Sequence, residues 1–317
     1  MPDITDIYNR SFKSLRVSLL SACNFKCLYC VDEEREVKRE PCRSDRLPDE
    51  ELAALILKLH RLLGLETIRL TGGEPLLFKG IVELVKQLKE AGVPRVTLTT
   101  NGVLLGKLAG ELAGAGLDAL NVSLDAIRPD VFAKITGRQQ LHKVLEGIDA
   151  AKAAGIPVKL NTVVMRGSNE QEIPALLRFA QEKDLVIRFL ELMKMGHLHA
   201  SGDQHFFSAF EILAMIPETG YLSALPRKAS ATARYWQTGA GQVFGIIANE
   251  SIPFCSDCNR LRLDSSGKVY GCLSNPLGFS IRGVDEQGLK EILLQTLYQK
   301  QRLRFTGSTM SMLAIGG

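Results

Sequence analysis

The sequence is poor in aromatic residues and contains no long apolar run. Only 6% of its 317 residues are aromatic and one is tryptophan. No stretch approaches the roughly 18 to 20 uncharged apolar residues that a membrane span needs, and residues 1–14 lack the apolar segment of an export signal. The net charge is only +4, from scattered basic residues. We therefore expect a cytoplasmic protein whose partners include no membrane and no nucleic acid.

Cysteine is also sparse, but six of the seven cysteines form two sets of three. The first set reads CxxxCxxC, and the second reads CxxC followed, after thirteen residues, by a third cysteine: Cys23, Cys27, Cys30, Cys255, Cys258 and Cys272. Without an export signal this spacing favours metal ligation over disulfides, because the cytosol keeps thiols reduced. Three thiolates can hold three corners of a cubane iron-sulfur cluster but cannot close a tetrahedral zinc site. Each set therefore predicts a cluster with one corner open to a small molecule.

Zinc is the alternative metal for both sets. A structural zinc knuckle at the first set would need a fourth ligand, and no histidine or fourth cysteine stands beside it. The second set could be closed by Cys42 or by a distant histidine, since CxxC is a common zinc spacing. A non-catalytic iron-sulfur or zinc protein is therefore one alternative function.

Strand-like runs alternate with amphipathic helical stretches between residues 15 and 193. The predicted strands cover residues 15–20, 66–71, 95–100, 117–124, 157–164 and 186–192. The predicted helices cover residues 49–63, 79–91, 104–115, 141–154 and 170–183. Such alternation predicts an α/β fold with a parallel sheet, but it leaves open whether the sheet curls into a partial barrel.

The alternation is lost after about residue 201. There the pattern predicts a short helix at 208–215 and β-like pieces at 243–247, 261–263 and 268–270. The chain length exceeds the usual size of a single compact core. We therefore expect a larger domain over residues 1–235 and a smaller α+β domain over residues 236–317.

Polar or glycine-rich motifs stand where several of the predicted strands end. They are the first cysteine loop, Thr71-Gly72-Gly73-Glu74-Pro75, Thr99-Thr100-Asn101-Gly102, Ser123-Leu124-Asp125 and residues 191–193. In barrels and open α/β sheets alike, ligands bind at this edge. The sequence therefore predicts a ligand site at the carboxyl ends of the strands.

Two of these motifs together resemble the radical S-adenosylmethionine superfamily. They are the CxxxCxxC loop, with Tyr29 before its last cysteine, and the Gly-Gly-Glu-Pro motif that follows about forty residues later. Within the superfamily the chain is similar to the GTP 3',8-cyclase family. That similarity rests on residues 15–18, 68–75, 121–125, 158–161 and 254–263, on Cys272 and on the terminal Gly316-Gly317. The chain departs from the family after Cys30, where Val31 and a charged run replace the usual Met-Pro pair, and Cys42 has no counterpart.

The resemblance implies a partial (β/α)6 barrel of the radical S-adenosylmethionine type, followed by a smaller C-terminal domain that carries a second cluster. A 4Fe-4S cluster on the first cysteine set would bind the amino and carboxylate groups of S-adenosylmethionine through its fourth iron. A second 4Fe-4S cluster, on the other set, would hold the guanine base. Gly72 and Gly73 are expected to let the backbone approach the methionine moiety. The implied contacts of S-adenosylmethionine are Tyr29, Gly73, Ser123 and Met193.

The implied reaction is a radical cyclisation of GTP. The 5'-deoxyadenosyl radical takes the hydrogen from C3' of GTP, and the resulting carbon radical attacks C8 to give 3',8-cyclo-7,8-dihydro-GTP. The triphosphate needs several fixed cations, preferably arginines. The resemblance assigns GTP binding to Arg16, Arg69, Thr99, Lys159, Arg260, Leu261 and Arg262, with Arg188 as a further candidate.

The resemblance also implies catalytic roles, partners and a place in metabolism. Arg260 and Arg262 are implied to act in catalysis beside the first cysteine set, and the Gly316-Gly317 tail to thread into the cavity. The reaction would be the first step of molybdenum cofactor biosynthesis. A flavodoxin- or ferredoxin-type electron donor, the cyclic pyranopterin monophosphate synthase and a second copy in a homodimer are the expected partners. A peptide-modifying maturase is the enzymatic alternative, although such enzymes usually carry more C-terminal cysteines.

Overall fold

A computed structural model describes residues 4–31, 46–216 and 221–315. The predictions for Cys42, Gly316 and Gly317 lie outside these residues. The strands are β1 (Ser14–Ser18), β2 (Thr67–Thr71), β3 (Arg95–Thr100), β4 (Ala119–Ser123), β5 (Val158–Val164), β6 (Val186–Glu191), β7 (Ser223–Ala224), β8 (Arg234–Gln237), β9 (Val243–Ile247), β10 (Arg260–Leu263), β11 (Lys268–Tyr270) and β12 (Phe279–Ser280). The α-helices are α1 (Asp49–Leu63), α2 (Ile81–Glu90), α3 (Leu105–Gly114), α4 (Pro129–Thr136), α5 (Leu141–Ala153), α6 (Ile173–Glu182), α7 (Ala209–Ala214), α8 (Glu286–Tyr298) and α9 (Met312–Ile315).

The described strands form one sheet in the order β12-β11-β10-β1-β2-β3-β4-β5-β6-β9-β8-β7. The strands from β10 to β9 in this order pair in parallel. The two outermost strands on each side continue the sheet by antiparallel pairing. The predicted parallel sheet is therefore confirmed, and its carboxyl edge collects the loops that follow β1 to β6.

Local sequence signals explain where the helices begin and end. Helix α1 has three acidic residues in its first turn, where they interact favourably with the positive end of the helix dipole. It is ended by Gly64, which has a left-handed φ of 58°. Helix α4 begins with Pro129 and ends at Gly137, whose φ is 65°. Buried residues of both helices, such as Leu52 and Phe132, belong to the same hydrophobic core as the apolar residues of the strands.

The two faces of the sheet differ in polarity. Apolar residues such as Leu15, Ile68 and Leu120 point outward and are fully buried in the hydrophobic core. Because alternate residues of a strand point to opposite faces, the residues between them point inward. Arg16 on β1 and Arg69 on β2 are such inward residues, and they are directly paired. The polar inner face predicts a ligand site rather than a second packed layer.

The C-terminal part of the chain extends the sheet at both sides. Strand β10 pairs with β1, whereas β9 pairs with β6 at the opposite side of the parallel strands. Residues of β10, of β1 to β6 and of β9 line the same cavity, so the open sheet curves around it as a partial barrel. The division of the chain into domains at residue 235 stays a prediction.

None of the helices in the described ranges combines the length and the apolar character that crossing a bilayer requires.

Candidate active site

A cavity on the inner face of the sheet brings the two cysteine sets into one site. Its lining includes all six of their cysteines. The lining also includes every other residue predicted for S-adenosylmethionine, and most of those predicted for GTP: Tyr29, Gly73, Ser123, Met193, Arg16, Arg69, Thr99, Arg188, Arg260 and Arg262. Residues that are far apart in the sequence therefore surround one space.

Two residues predicted to bind GTP stand apart from this lining. The side chain of Leu261 is fully buried in the core on the outer face of β10, so only its backbone can face the cavity. Lys159 lies on β5, where its Nζ is 3.3 Å from the Tyr235 hydroxyl and 5.3 Å from the centroid of that ring. Their predicted contacts with GTP stay predictions.

The first cysteine loop is fixed by backbone hydrogen bonds on both sides. Gly73 N donates to Leu20 O at 2.7 Å and Glu74 N donates to Ala22 O at 2.9 Å, which ties the start of the loop to the end of β2. Lys26 N donates to Thr136 O at 2.9 Å, which ties its centre to the end of α4. The loop is therefore placed by the sheet and by a helix before any ligand binds.

The two glycines of the Gly-Gly-Glu-Pro motif make room for that loop. A Cβ atom on Gly73 would lie 2.2 Å from Ala22 O, and one on Gly72 would lie 2.5 Å from Leu20 O. Gly72 also has a φ of 146°, which other residues rarely adopt. The family resemblance predicts that these glycines allow the approach of a ligand; in the structure, their Cβ positions are filled by the backbone of the cysteine loop itself.

The buried Glu74 ties the motif to the end of β3. Its Oε1 accepts hydrogen bonds from Thr100 Oγ1 at 2.6 Å and from Leu76 N at 2.9 Å, and its Oε2 accepts one from Asn101 N at 2.7 Å. Burial raises the pKa of Glu74 to about 7, although these three donors act in the opposite direction. Asn101 Nδ2 in turn donates to Asn24 Oδ1 in the cysteine loop at 2.7 Å. Glu74 is therefore a structural anchor of the site.

We expect Glu74→Gln to destabilise the protein. The glutamine amide has only one oxygen for these three donors, and its NH₂ group would lie against a buried donor. A buried donor left without an acceptor lowers the free energy of unfolding by about 1–3 kcal/mol. Urea unfolding should show that loss, whereas Glu90→Gln, whose parent side chain is 64% exposed, should stay within about 0.5 kcal/mol of the parent protein. Equal midpoints for the parent protein and the Glu74 variant would contradict the anchoring role.

Tyr29 is held in place by Asp125. The Tyr29 hydroxyl donates to Asp125 Oδ2 at 2.7 Å, and Asp125 Oδ1 accepts from Val163 N at 2.9 Å. Burial raises the pKa of Asp125 to about 6 and raises the pKa of Tyr29 well above its usual value. The pair links the cysteine loop to the ends of β4 and β5, so Tyr29 faces the cavity in a fixed orientation.

The thiols of the first set lie close to one another. Burial, together with the charges of Cys23 and Asp125, raises the pKa of Cys30 to about 12. Burial also raises the pKa of Cys27 well above its usual value, and Cys30, Asp125 and Cys23 add to this effect. A bound cationic metal centre is the kind of group that stabilises such crowded sulfurs as thiolates.

The second set lines the same cavity as the first and has a different electrostatic environment. Burial, together with the charges of Cys258 and Cys272, raises the pKa of Cys255 to about 11. Burial alone would also raise the pKa of Cys258, but Arg260 and Lys300 outweigh it and lower that pKa to about 6. The second set is therefore three neighbouring thiols beside fixed cations.

Both sets fit the donor chemistry of an iron-sulfur cluster. Each consists of three thiols close enough to affect one another's pKa, and thiolate sulfur is the usual ligand of such clusters. Across the described parts of the chain, no three histidine, cysteine, aspartate or glutamate side chains are arranged to hold a single metal ion.

Partly buried and buried arginines lie on the inner face of the sheet, in the cavity that both cysteine sets line. Arg16 is paired with Arg69 on one side and with Arg262 on the other. Burial, followed by repulsion from neighbouring arginines, lowers the pKa of Arg69 to about 9 and of Arg262 to about 10, and that of Arg16 well below its usual value. Like charges on paired strand residues are destabilising. Such a row is suited to a polyanionic ligand, which would relieve the repulsion.

Several residues in or next to the site were not predicted from the sequence. Asn121 Oδ1 accepts a short hydrogen bond from Arg188, and Asn161 Oδ1 accepts one from Arg188 Nε at 2.9 Å. A signal existed for both, because an asparagine inside a buried strand is unusual. Lys300 gave no such signal, since it follows α8 without a motif.

Two family models match successive parts of the chain. Residues 17–180 match the Radical SAM superfamily, and residues 185–305 match the Molybdenum Cofactor Synthesis C family. The chain is 36% identical over 314 residues to the GTP 3',8-cyclase of a Synechocystis species, covering 99% of this chain and 95% of that protein. It is 41% identical over 275 residues to the GTP 3',8-cyclase of Streptomyces coelicolor, covering 85% and 80%.

Solved structures show a similar fold at low sequence identity. Streptococcus suis SuiB bound to S-adenosylmethionine matches with a TM-score of 0.63 and 14% identity, over 88% of this chain and 65% of that one. SuiB bound to its precursor peptide SuiA matches with a TM-score of 0.66 and 14% identity, over 92% of this chain and 68% of that one. At this identity the likeness concerns the fold alone.

The curved parallel sheet, the cysteine loop after β1 and the family match define a radical S-adenosylmethionine protein. The cofactors implied by that class, a 4Fe-4S cluster and S-adenosylmethionine, suit the three thiols of the first set. Within the class, the chain belongs to the GTP 3',8-cyclase family.

Proposed function

We propose that this protein converts GTP to 3',8-cyclo-7,8-dihydro-GTP, the first step of molybdenum cofactor biosynthesis. The observation that carries the proposal is the row of paired arginines in a cavity that both cysteine sets line. The row supplies the charge that a triphosphate requires. The names of the curated relatives supply the reaction.

The first cysteine set is proposed to hold the cluster that generates the radical. When bound there with S-adenosylmethionine, the cluster supplies the electron for the reductive cleavage that gives methionine and the 5'-deoxyadenosyl radical. Tyr29, Gly73, Ser123 and Met193 line the cavity and are proposed to position S-adenosylmethionine. The protein's part is to fix the distance between the reacting atoms and to keep water away.

The inner face is proposed to hold GTP with its triphosphate against the arginines. Arg16, Arg69 and Arg262 lie on adjacent paired strands, so a triphosphate can contact them simultaneously. Arg260, which is on the same face as Arg262, lies next to the second cysteine set and is proposed to orient the nucleotide. Thr99, Lys159, Arg188 and the backbone at Leu261 complete the proposed GTP site.

We also propose a second 4Fe-4S cluster on Cys255, Cys258 and Cys272, with the guanine base at its open iron. Replacing Cys272 with alanine should remove about half of the bound iron, because only one of two equal clusters remains. Cleavage of S-adenosylmethionine should be largely retained, since the first set is untouched. Iron analysis and the yield of 5'-deoxyadenosine check this, and complete loss of cleavage would contradict two independent sites.

The remaining partners are proposed from the family resemblance. They are a flavodoxin- or ferredoxin-type electron donor, the cyclic pyranopterin monophosphate synthase as the next enzyme, and a second copy of the chain in a homodimer. The cytoplasm is the proposed location. A diglycine tail that enters the cavity is proposed on the same basis.

An anaerobic reaction of iron-sulfur-reconstituted protein with S-adenosylmethionine, GTP and dithionite tests the proposed reaction. Mass spectrometry should find 5'-deoxyadenosine together with a new isomer of GTP. Formation of 5'-deoxyadenosine without the isomer would require another substrate. Neither product, from protein with both clusters loaded, would favour a non-catalytic iron-sulfur protein.

A further inference from the structure

Lys300 is a buried lysine directly beside the second cysteine set. Only 7% of the residue is exposed. Its Nζ donates to Cys258 Sγ at 3.2 Å, to Arg260 O at 2.7 Å and to Gly271 O at 3.3 Å. An ammonium group has three N–H donors, so these three acceptors use all of them. The side chain is therefore committed to this one location.

The three acceptors lie on the two chain segments that carry the second cysteine set. Cys258 and Arg260 belong to the first segment, and Gly271 precedes Cys272 on the second. The ladder between β10 and β11 reaches only as far as the Arg262 and Tyr270 pair. Beyond that pair, the Lys300 side chain bonds to both segments, so it fixes their separation next to the thiols.

The backbone at Lys300 is held from the other side by the N-terminal segment. Arg10 donates to Lys300 O at 3.4 Å, to Gln301 O at 2.8 Å and to Cys255 O at 3.2 Å. Arg10 Nε also donates to the buried carboxylate of Asp6 at 2.7 Å. The Phe12 ring lies 5.1 Å from Lys300 Nζ. Residues 4–13 thus support the second cysteine set, although they precede both ranges matched by family models.

We propose that Lys300 is the positioning residue of the second cysteine set and donates a charge-assisted hydrogen bond to the sulfur of Cys258 when that set holds a cluster. This inference rests on the second cluster in the proposed function. A cationic donor to a cluster sulfur favours the more negative, reduced state, and hydrogen bonds to sulfur are a known control of cluster potential. Lys300 therefore fixes the relative positions of the three thiols, and it raises the reduction potential of the second cluster.

Lys300→Met tests the proposal, because methionine fills much of the same volume without charge or donor. The control is Lys290→Met on α8, which removes a partly exposed lysine paired with Glu286. Both variants and the parent chain are reconstituted, and iron per chain, the spectrum of the reduced clusters and their midpoint potentials are measured. Cleavage of S-adenosylmethionine without GTP reports whether the first set is intact.

Lys300→Met is expected to lose about half of its iron, or to keep it with a lower midpoint potential for the second cluster, while cleavage at the first set persists. Lys290→Met should match the parent chain. Unchanged iron and unchanged potential in Lys300→Met would overturn the proposal.

If the methionine variant loses iron from both sets, the Lys300→Arg variant distinguishes a local role of Lys300 from a general loss of folding. Recovery of the second cluster by this cationic donor supports the role, and loss of both clusters again overturns it. A parent chain that binds iron for a single cluster would instead refute the second cluster itself.

Discussion

Replacing Gly73 with alanine is expected to lower the free energy of unfolding by about 3 kcal/mol, the upper end of the range for over-packing. The added Cβ would lie 2.2 Å from Ala22 O and 2.7 Å from Ser21 O, and both are backbone atoms of the first cysteine loop. Backbone cannot rotate away as a side chain can, so the loop must move. Because Cys23 directly follows Ala22, the same movement should reduce iron bound by the first set.

Urea unfolding and iron analysis of the reconstituted protein measure the two effects separately. Gly110→Ala is the matched control, since a Cβ there meets nothing within 4 Å and the residue lies inside α3. It should raise the free energy of unfolding by about 0.5–1 kcal/mol, the usual advantage of alanine over glycine in a helix. A Gly73 variant that equals the parent protein in stability and iron would show that the loop does not depend on this contact.

Replacing Arg16 with methionine is expected to have opposite effects on GTP binding and on stability. A charge-assisted hydrogen bond contributes about 1.5–3 kcal/mol, so GTP should bind about 10- to 150-fold more weakly. Without nucleotide, the free energy of unfolding of the variant should rise by about 1 kcal/mol, because a partly buried charge repelled by Arg262 and Arg69 has been removed. An arginine with only a structural role would lose stability when replaced.

Calorimetric titration with GTP and urea unfolding of nucleotide-free protein test this pair of effects. Lys86→Met is the control, because that side chain is 57% exposed and its contact with Glu90 is 3.9 Å long. The control should change neither the GTP affinity nor the free energy of unfolding appreciably, as is usual for a surface substitution. Unchanged GTP affinity in the Arg16 variant would remove this residue from the site, and a destabilised variant would contradict the account of the arginine row.

Much of the parallel sheet could be predicted from sequence because each strand carries its own signal. The predicted ranges 95–100 and 49–63 coincide with β3 and α1, and the other strands of the alternating region differ at their ends by a few residues. Helix α4 was missed because it has only eight residues, although Pro129 and Gly137 mark its two ends. Local periodicity identifies elements well when they are long and regular.

Long-range pairing could not be predicted in the same way. The β-like pieces at 243–247 and 268–270 are confirmed as β9 and β11, but nothing in their sequence shows that β9 pairs with β6. Helix α8 was also missed. The cysteine sets could be found from their spacing, whereas the arginine row follows from strand register, and Lys300 follows from the way the chain after α8 packs on the second set. Such contacts depend on tertiary packing that no local motif records.

The most direct test of the central claim uses GTP deuterated at C3'. If the cavity holds GTP between the two cysteine sets as proposed, the deuterium should appear in 5'-deoxyadenosine, which mass spectrometry would detect as a gain of one mass unit. GTP deuterated at C2' is the matched control and should transfer none. If 5'-deoxyadenosine forms from 3'-deuterated GTP without the label, the radical takes its hydrogen elsewhere, and the proposed position of GTP is wrong.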